Sequence, residues 1–195
     1  MTEDIYAFDD CSIFHMCKLN IKYAFKPFFK EEFITHRNYN HLSLLLKYLK
    51  EKSKIKAKFV PCENFEKNIL KSYDDLLIKQ GNIQILGESF KKSILEQLEQ
   101  FYEELVKEFK DIEKDDDIDS IKTFFVSNER QLNKNPKIPE DDDLKIISAY
   151  FKFACIGNKY FISEDEHFWG YEDLIKDKYK FIVIKEWECY KLNIS

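Results

Sequence analysis

Apolar runs bounded by acidic residues, proline and glycine divide this chain into alternating predicted strands and helices. Residues 5–8 form a short apolar run that ends at Asp9 and Asp10, a pattern typical of a buried strand followed by a turn. Apolar residues alternate with lysines along residues 54–60 until Pro61 ends the pattern, which indicates a second strand. Further strands are predicted over residues 159–163 and 180–184, and helices over residues 12–19, 40–50, 65–77, 83–112, 139–156 and 164–176.

This alternation favours an α/β fold, because helices usually form the crossover connections between parallel strands. We predict a three-layer α/β/α sandwich with a central, mostly parallel sheet, in a single domain that spans residues 1–195. The helix over residues 83–112 is longer than a sheet connection requires, so residues 81–135 are predicted to be a helical insertion. The apolar face of that helix either packs on its own domain or forms a homodimer surface. The pattern of residues 120–129 is ambiguous.

Composition and charge narrow the class of protein. Of the 195 residues, 44% are apolar, including 18 Phe and 11 Tyr, which is ample for a sizeable core. Only four Gly and four Pro argue against a turn-rich, all-β fold. A net charge of −5 argues against a protein that coats long nucleic acids, but leaves open an enzyme that binds a short stretch of RNA and releases it.

The sequence contains no recognisable membrane segment or secretion signal. No apolar run reaches the length of a transmembrane helix, and the acidic N-terminal residues lack the basic and apolar stretches of a signal peptide. We therefore expect a cytoplasmic protein with no membrane association. Five scattered cysteines without a CxxC pair indicate neither a disulfide framework nor a zinc ribbon.

Four spaced acidic residues give the strongest chemical signal: Asp10, Glu66, Asp143 and Asp165. Three of the four lie at or just beyond the ends of apolar, strand-like runs. In an α/β protein these ends share one edge of the sheet, which is where ligands bind. Four carboxylates gathered there would form a site for a hard cation, and such a site beside a cleft suggests phosphodiester chemistry.

Each of these acids also has a structural explanation. Asp10 can cap the helix that follows it, and Asp143 belongs to three consecutive aspartates that complement the dipole of a helix N-terminus. Glu66 by itself is a solvated helix residue, for which the neighbouring Glu63 is an alternative. A serine cap explains the motif around Asp165. Four such coincidences in one chain nevertheless favour a shared function.

A calcium-binding loop is excluded by its own spacing. Asp115, Asp117 and Asp119 imitate the start of an EF-hand loop. Ser120 and Val126, however, stand where that loop requires its glycine and its glutamate, so we reject this interpretation.

The remaining candidate groups have a structural role as their first explanation. Cys11, His15 and Cys17 could share a helix face, but no second pair of metal ligands accompanies them. No P-loop, dinucleotide-binding or serine-hydrolase motif is present. His167 is predicted to be a surface or loop residue rather than a general base, because a metal-bound water does not require one.

The order and spacing of the acidic motifs resemble those of a PIN domain, a metal-dependent nuclease fold found in toxin ribonucleases and in RNA-processing and decay nucleases. A strand–Asp–x–Ser motif, a strand–Pro–helix–Glu segment, an Asp-x-x-Ile-x-x-Ala helix start and a strand–Ser–x–Asp–x–x–Phe motif follow one another, before a last strand. They occupy residues 7–14, 59–66, 143–149, 160–168 and 181–184. The resemblance covers roughly residues 4–80 and 135–190, and the small toxins of the family lack a helix like the one predicted over residues 83–112.

The resemblance implies an endoribonuclease whose four acidic positions bind one or two Mg²⁺ or Mn²⁺ ions. Asp10, Glu66, Asp143 and Asp165 would be the metal ligands and catalytic residues. Ser12 and Ser163 would orient carboxylates or water as a second layer around them. The implied substrate is single-stranded or structured RNA, and an antitoxin-like protein is an implied partner for a toxin member.

Two other functions stay open at this stage. The acidic composition and the presence of only two arginines fit a PIN-like protein that has lost activity and serves as a binding or assembly module. The same acidic site would also suit a structure-specific DNA nuclease.

Overall fold

In the computed structural model, the strands formed by the described residues pair into one parallel sheet. The structure describes residues 4–9, 12, 56–59, 92–93, 96, 100, 103, 110–111, 115–133, 135–152, 156–185 and 188. Within this part of the chain the strands are β1 (Ile5–Phe8), β2 (Lys56–Phe59), β3 (Lys110–Asp111), β4 (Lys159–Ser163) and β5 (Phe181–Lys185). All four pairings are parallel and the strand order is β3-β2-β1-β4-β5. The α/β class is therefore confirmed.

Four helices that lie wholly within the described residues accompany the sheet. They are α1 (Asp119–Ser127), α2 (Asp141–Phe151), α3 (Glu166–Trp169) and α4 (Glu172–Tyr179). Helix α2 confirms the helix predicted after Pro139, and α1 gives the ambiguous stretch a helical structure. The single helix predicted over residues 164–176 is wrong in detail, because a turn at Gly170 divides it into α3 and α4. No helix in the described ranges combines the length and the apolarity needed to cross a membrane.

Gly170 is required at this turn by close packing. A Cβ atom added there would lie 2.7 Å from the Glu166 carbonyl oxygen and 2.7 Å from Leu132 Cδ2. Because real Cβ atoms do not approach this closely, the turn between α3 and α4 needs a residue without a side chain.

The long helix predicted over residues 83–112 is partly confirmed. Residues 92, 93, 96, 100 and 103 are helical, but Lys110 and Asp111 form strand β3. They pair in parallel with Lys58 and Phe59. The prediction that the helix reaches Ile112 is therefore wrong, because pairing with the edge of β2 overrides an apolar spacing that also suits a helix. Residues 12–19, 40–50 and 65–77, apart from the helical Ser12, lie outside the described residues.

The order of the strands creates a switch point between β1 and β4. The chain moves from β1 outward to β2 and β3, and then returns to the other side of β1 to form β4 and β5. Phe8, the last residue of β1, is paired with Ile162 of β4. Ligands of open α/β sheets bind outside the carboxyl ends of the strands at such a point. The residues that follow β1 and β4 are therefore the first place to look for a site.

An aromatic core joins the helices to strands β1, β4 and β5. Its fully buried side chains include Phe125 of α1, Phe161 of β4 and Phe181 of β5. Tyr150 of α2 is also buried, and its hydroxyl donates a hydrogen bond to the carbonyl of Phe8 at 3.1 Å. This bond ties α2 to the carboxyl end of β1. Helix α1 contributes Phe125 to this core, so the region predicted to be an insertion also builds the domain interior.

The connection between α1 and α2 is fixed to the α3–α4 segment by hydrogen bonds. The Arg130 guanidinium makes two 2.7 Å bonds to the Asp173 carboxylate and one of 3.0 Å to the Gly170 carbonyl. The Tyr171 hydroxyl accepts from the Arg130 main-chain N–H at 3.0 Å and donates to the Lys137 carbonyl at 3.2 Å. These contacts hold the segment that leads into α2 against the segment that contains α3.

We expect Asp173→Asn to lower stability at neutral pH by no more than about 1 kcal/mol, because the pair with Arg130 is partly exposed. The hydrogen bonds from Arg130 lower the pKa of the Asp173 carboxyl below its ordinary value of 3.8. A lowered folded-state pKa stabilises the protein above the unfolded-state pKa, and this contribution is lost as the pH falls through the folded-state pKa. Urea unfolding of both proteins at pH 7 and near pH 2.5 should therefore show a larger difference at pH 7.

Asp177→Asn, on the exposed face of the same helix, is the matched control and should be nearly neutral at both pH values. An equal effect of the two substitutions at pH 7 would contradict the role given to the Arg130–Asp173 pair.

Candidate functional site at the carboxyl edge of the sheet

The residues that follow β1 and β4 form a hydrogen-bonded network, here called the switch-point network: Asp9, Ser163 and Asp165. The Asp9 main-chain N–H donates to the Ile162 carbonyl at 3.0 Å. Ser163 Oγ donates to Asp9 Oδ2 at 2.7 Å and accepts from the Asp165 main-chain N–H at 2.9 Å. Ser163 is fully buried and Asp9 is 2% exposed. Because a buried carboxylate is costly unless it is hydrogen-bonded or paired with a cation, this network fixes Asp9 in place.

Ser12 reinforces the same junction. Its side chain is fully buried, and its Oγ donates to the Ile162 carbonyl at 3.2 Å. This is the carbonyl that also accepts the main-chain N–H of Asp9. The resemblance to a PIN domain implies that Ser12 orients a carboxylate or a water. In the structure it holds the segment after β1 against the end of β4.

Asp143 has the structural role considered from the sequence, in the first turn of a helix. It lies in the first turn of α2 and forms a capping box with Glu140, whose main-chain N–H donates to Asp143 Oδ2 at 3.2 Å. The Asp143 side chain is 27% exposed, and its Oδ2 lies 3.4 Å from Nε2 of His167. Helix capping therefore explains the contact of the Asp143 carboxylate with Glu140. The contact with His167 places the same carboxylate beside the segment that follows β4.

Asp165 lies on the other side of His167. It is the residue before α3, and its side chain does not cap that helix. The Asp165 side chain is 17% exposed, and its Oδ2 lies 3.8 Å from His167 Nε2. Asp143 and Asp165, which are far apart in the sequence, thus approach the same imidazole nitrogen. The Asp165 main chain also belongs to the switch-point network, so Asp165 connects this network to His167 and Asp143.

The prediction that His167 is a surface or loop residue is wrong. It lies in helix α3 and its side chain is only 10% exposed. The imidazole packs edge-to-face on Phe168, with ring centroids 4.6 Å apart. A four-residue helix is too short to show a periodic pattern, so its buried face could not be identified from the sequence.

Asp9 is the residue at this edge that the sequence pattern does not single out. It follows β1 directly and is buried, whereas Asp10 lies outside the described residues, as do Glu66 and Glu63. Where two acids follow a predicted strand, the residue at which the strand ends decides which of the two carboxylates lies at the site. The signal that identifies Asp9 is the pairing of Phe8 with Ile162, which brings Asp9 beside Ser163.

The donors at this edge suit a hard cation by their chemistry. They are carboxylate oxygens and a hydroxyl, the ligands preferred by Mg²⁺ and Mn²⁺, with one imidazole nitrogen beside them. Among the described residues, however, no three acidic, histidine or cysteine side chains are arranged as a complete metal site. Asp10 and Glu66 are not part of that comparison, because the structure does not describe them. The described residues therefore do not form a complete metal site by themselves.

Comparison with family models, with curated proteins and with solved structures found no match to this chain.

Proposed function

We propose that this protein is a metal-dependent endoribonuclease with a PIN-like α/β/α fold. The observation that carries the proposal is the location of Asp9, Ser163 and Asp165 together at the switch point of a parallel sheet, with Asp143 close by. A phosphodiester is negatively charged, so it can approach acidic side chains only when a cation lies between them. Acidic side chains at such an edge therefore favour a metal-dependent reaction on a phosphodiester. The resemblance of the acidic motifs to a PIN domain points to RNA as the substrate.

In this proposal the acidic residues hold the cation and the buried hydroxyl holds one of the acids. Asp9, in the place predicted for Asp10, would be a ligand together with Asp143, Asp165 and the predicted Glu66. A bound Mg²⁺ or Mn²⁺ ion would lower the pKa of a water molecule and stabilise the charge that develops on the scissile phosphate. Ser163 would keep the Asp9 carboxylate in one orientation, which reduces the cost of assembling the site.

The first test compares Asp143→Asn with the wild type in the cleavage of labelled single-stranded RNA in Mg²⁺ or Mn²⁺. We expect the rate to fall at least about a hundredfold, since removal of a ligand should exceed the 10–100-fold loss typical of residues that only support ligands. The fold should survive, because the Asn side-chain oxygen can still accept the N–H of Glu140 in the capping box.

Asp142→Asn provides the matched control, because it removes one charge from the same helical turn at a strongly exposed position. Its cleavage rate should stay close to that of the wild type. Equal rates for Asp143→Asn and the wild type, or no cleavage of RNA with either metal, would contradict the proposal.

Two further measurements separate the alternative functions. Side-by-side cleavage of flap DNA and single-stranded RNA distinguishes a DNA nuclease from an endoribonuclease. Calorimetric titration with Mn²⁺ distinguishes an enzyme from an inactive binding module, for which no binding is expected. An antitoxin-like partner and a homodimer through the helix predicted over residues 83–112 also stay proposals, and sedimentation of the purified chain tests the second.

A further inference from the structure

His167 lies between two segments of the chain that contain acidic residues of the site. One segment is the first turn of α2, which contains Asp143, and the other is the junction between β4 and α3, which contains Asp165. His167 Nε2 is 3.4 Å from Asp143 Oδ2 and 3.8 Å from Asp165 Oδ2. At these separations the imidazole acts on both carboxylates electrostatically rather than through one short hydrogen bond.

The imidazole also packs against the aromatic core. It packs edge-to-face on Phe168, and Phe168 packs edge-to-face on Phe161 of β4 with ring centroids 5.1 Å apart. Phe168 and Phe161 are both buried in the aromatic core. These contacts with the core of the domain therefore help to fix the position of Nε2.

Two carboxylates that approach each other raise the free energy of the protein when no cation lies between them. In the tautomer that carries its hydrogen on Nε2, the imidazole N–H near both carboxylates offsets part of this repulsion by placing the positive end of a dipole close to each oxygen. The same contacts restrict the orientations that the two carboxylates can adopt. His167 is thus located to preserve the separation of Asp143 and Asp165.

We propose that His167 is a positioning residue, which fixes Asp143 and Asp165 relative to each other so that both can bind one divalent cation. The metal-binding part of this inference rests on the proposed nuclease function. It requires the N–H group of His167 and not merely a ring of the right size. This requirement separates a positioning role from a purely structural one.

Two substitutions separate the N–H group from the ring. His167→Phe retains an aromatic ring that can pack on Phe168 but has no donor, and His167→Gln keeps an N–H donor at a similar distance from the main chain. In calorimetric titrations with Mn²⁺ at one fixed pH, we expect His167→Phe to bind about 10–100-fold more weakly than the wild type. His167→Gln should recover most of that loss.

Cleavage assays give the second readout. The metal concentration for half-maximal RNA cleavage should rise in parallel with the loss of Mn²⁺ affinity in His167→Phe, and it should rise much more than kcat at saturating Mn²⁺ falls. Similar losses in His167→Phe and His167→Gln would overturn the proposal, since the donor would then be irrelevant. A large loss of kcat at saturating Mn²⁺ in both variants would also overturn it, because His167 would then act on the reacting groups.

A third readout requires neither metal nor activity. In the metal-free protein His167→Phe should lower Tm by about 3 °C, and it should cost less than half of that in an Asp143→Asn background, because the repulsion that His167 offsets is then gone. Equal shifts in both backgrounds would overturn the positioning role. If the wild type neither binds Mn²⁺ nor cleaves RNA but this coupling is present, the nuclease proposal fails and the positioning of the two carboxylates stands.

Discussion

Asp9→Asn is expected to abolish most RNA cleavage, with a loss on the order of a thousandfold in the rate. The Asp9 carboxylate is buried at the switch point, where Ser163 holds it at 2.7 Å. Among the described acids of the proposed site it is the most removed from solvent, so water would not easily take its place as a ligand. Loss of a cation contact worth several kcal/mol corresponds to roughly this change in rate.

The effect of Asp9→Asn should be specific to metal binding and not to folding. The amide oxygen of Asn can still accept the hydrogen bond from Ser163, and removal of a buried charge should not destabilise the metal-free protein. For the wild type, Mn²⁺ at about 100 times its dissociation constant should stabilise the fold by about 2.7 kcal/mol. Differential scanning calorimetry with and without Mn²⁺ should show this increase in Tm for the wild type and not for Asp9→Asn.

Asp10→Asn is the natural comparison, since it makes the same change one residue further along. If Asp9 is the acid at the site, Asp10→Asn should retain far more cleavage than Asp9→Asn. The reverse order would refute the assignment of Asp9 and restore Asp10 as the ligand predicted from the sequence. Loss of cleavage in both variants would mean that the two adjacent carboxylates act together.

The difficulty of choosing between Asp9 and Asp10 illustrates what the sequence can and cannot specify. The strand itself was predictable, because its four apolar residues end abruptly at two acids. The carboxylate that faces the site depends on where the strand ends, and that in turn depends on its pairing with β4. A shift of one residue moves every side chain of a strand to the opposite face, so local pattern leaves the site uncertain by one position.

The other elements show the same contrast: the sequence predicts those that local patterns mark and misses features that depend on contacts distant in the chain. Strands β4 and β5 and helix α2 are marked by apolar runs and by breaking residues, and all three agree with the predictions. Strand β3 has two residues and no periodicity, so only its pairing with β2 defines it. The burial of His167 arises from the packing of α3 on the core, which a four-residue helix cannot express in its sequence.

Phe161→Ala should cause the largest loss of stability, about 3–5 kcal/mol. Phe161 is fully buried on β4, and its ring packs against those of Phe168 and Tyr150 at centroid distances of 5.1 and 5.9 Å. Since single domains are stable by only about 5–15 kcal/mol, this one substitution removes a large share of the total. Truncation leaves a cavity between the sheet, α2 and α3 that the surrounding rings cannot fill.

Equilibrium urea unfolding measures this loss directly, with Val126→Ala as the control at an exposed position of α1 that should change stability by less than about 0.5 kcal/mol. Phe161→Leu should be much milder than Phe161→Ala, because it restores most of the volume. Since Phe161 supports Phe168, and Phe168 supports His167, Phe161→Leu should also weaken Mn²⁺ binding while the fold remains intact. A small effect of Phe161→Ala, similar to that of Val126→Ala, would contradict the conclusion that the aromatic core supports the site.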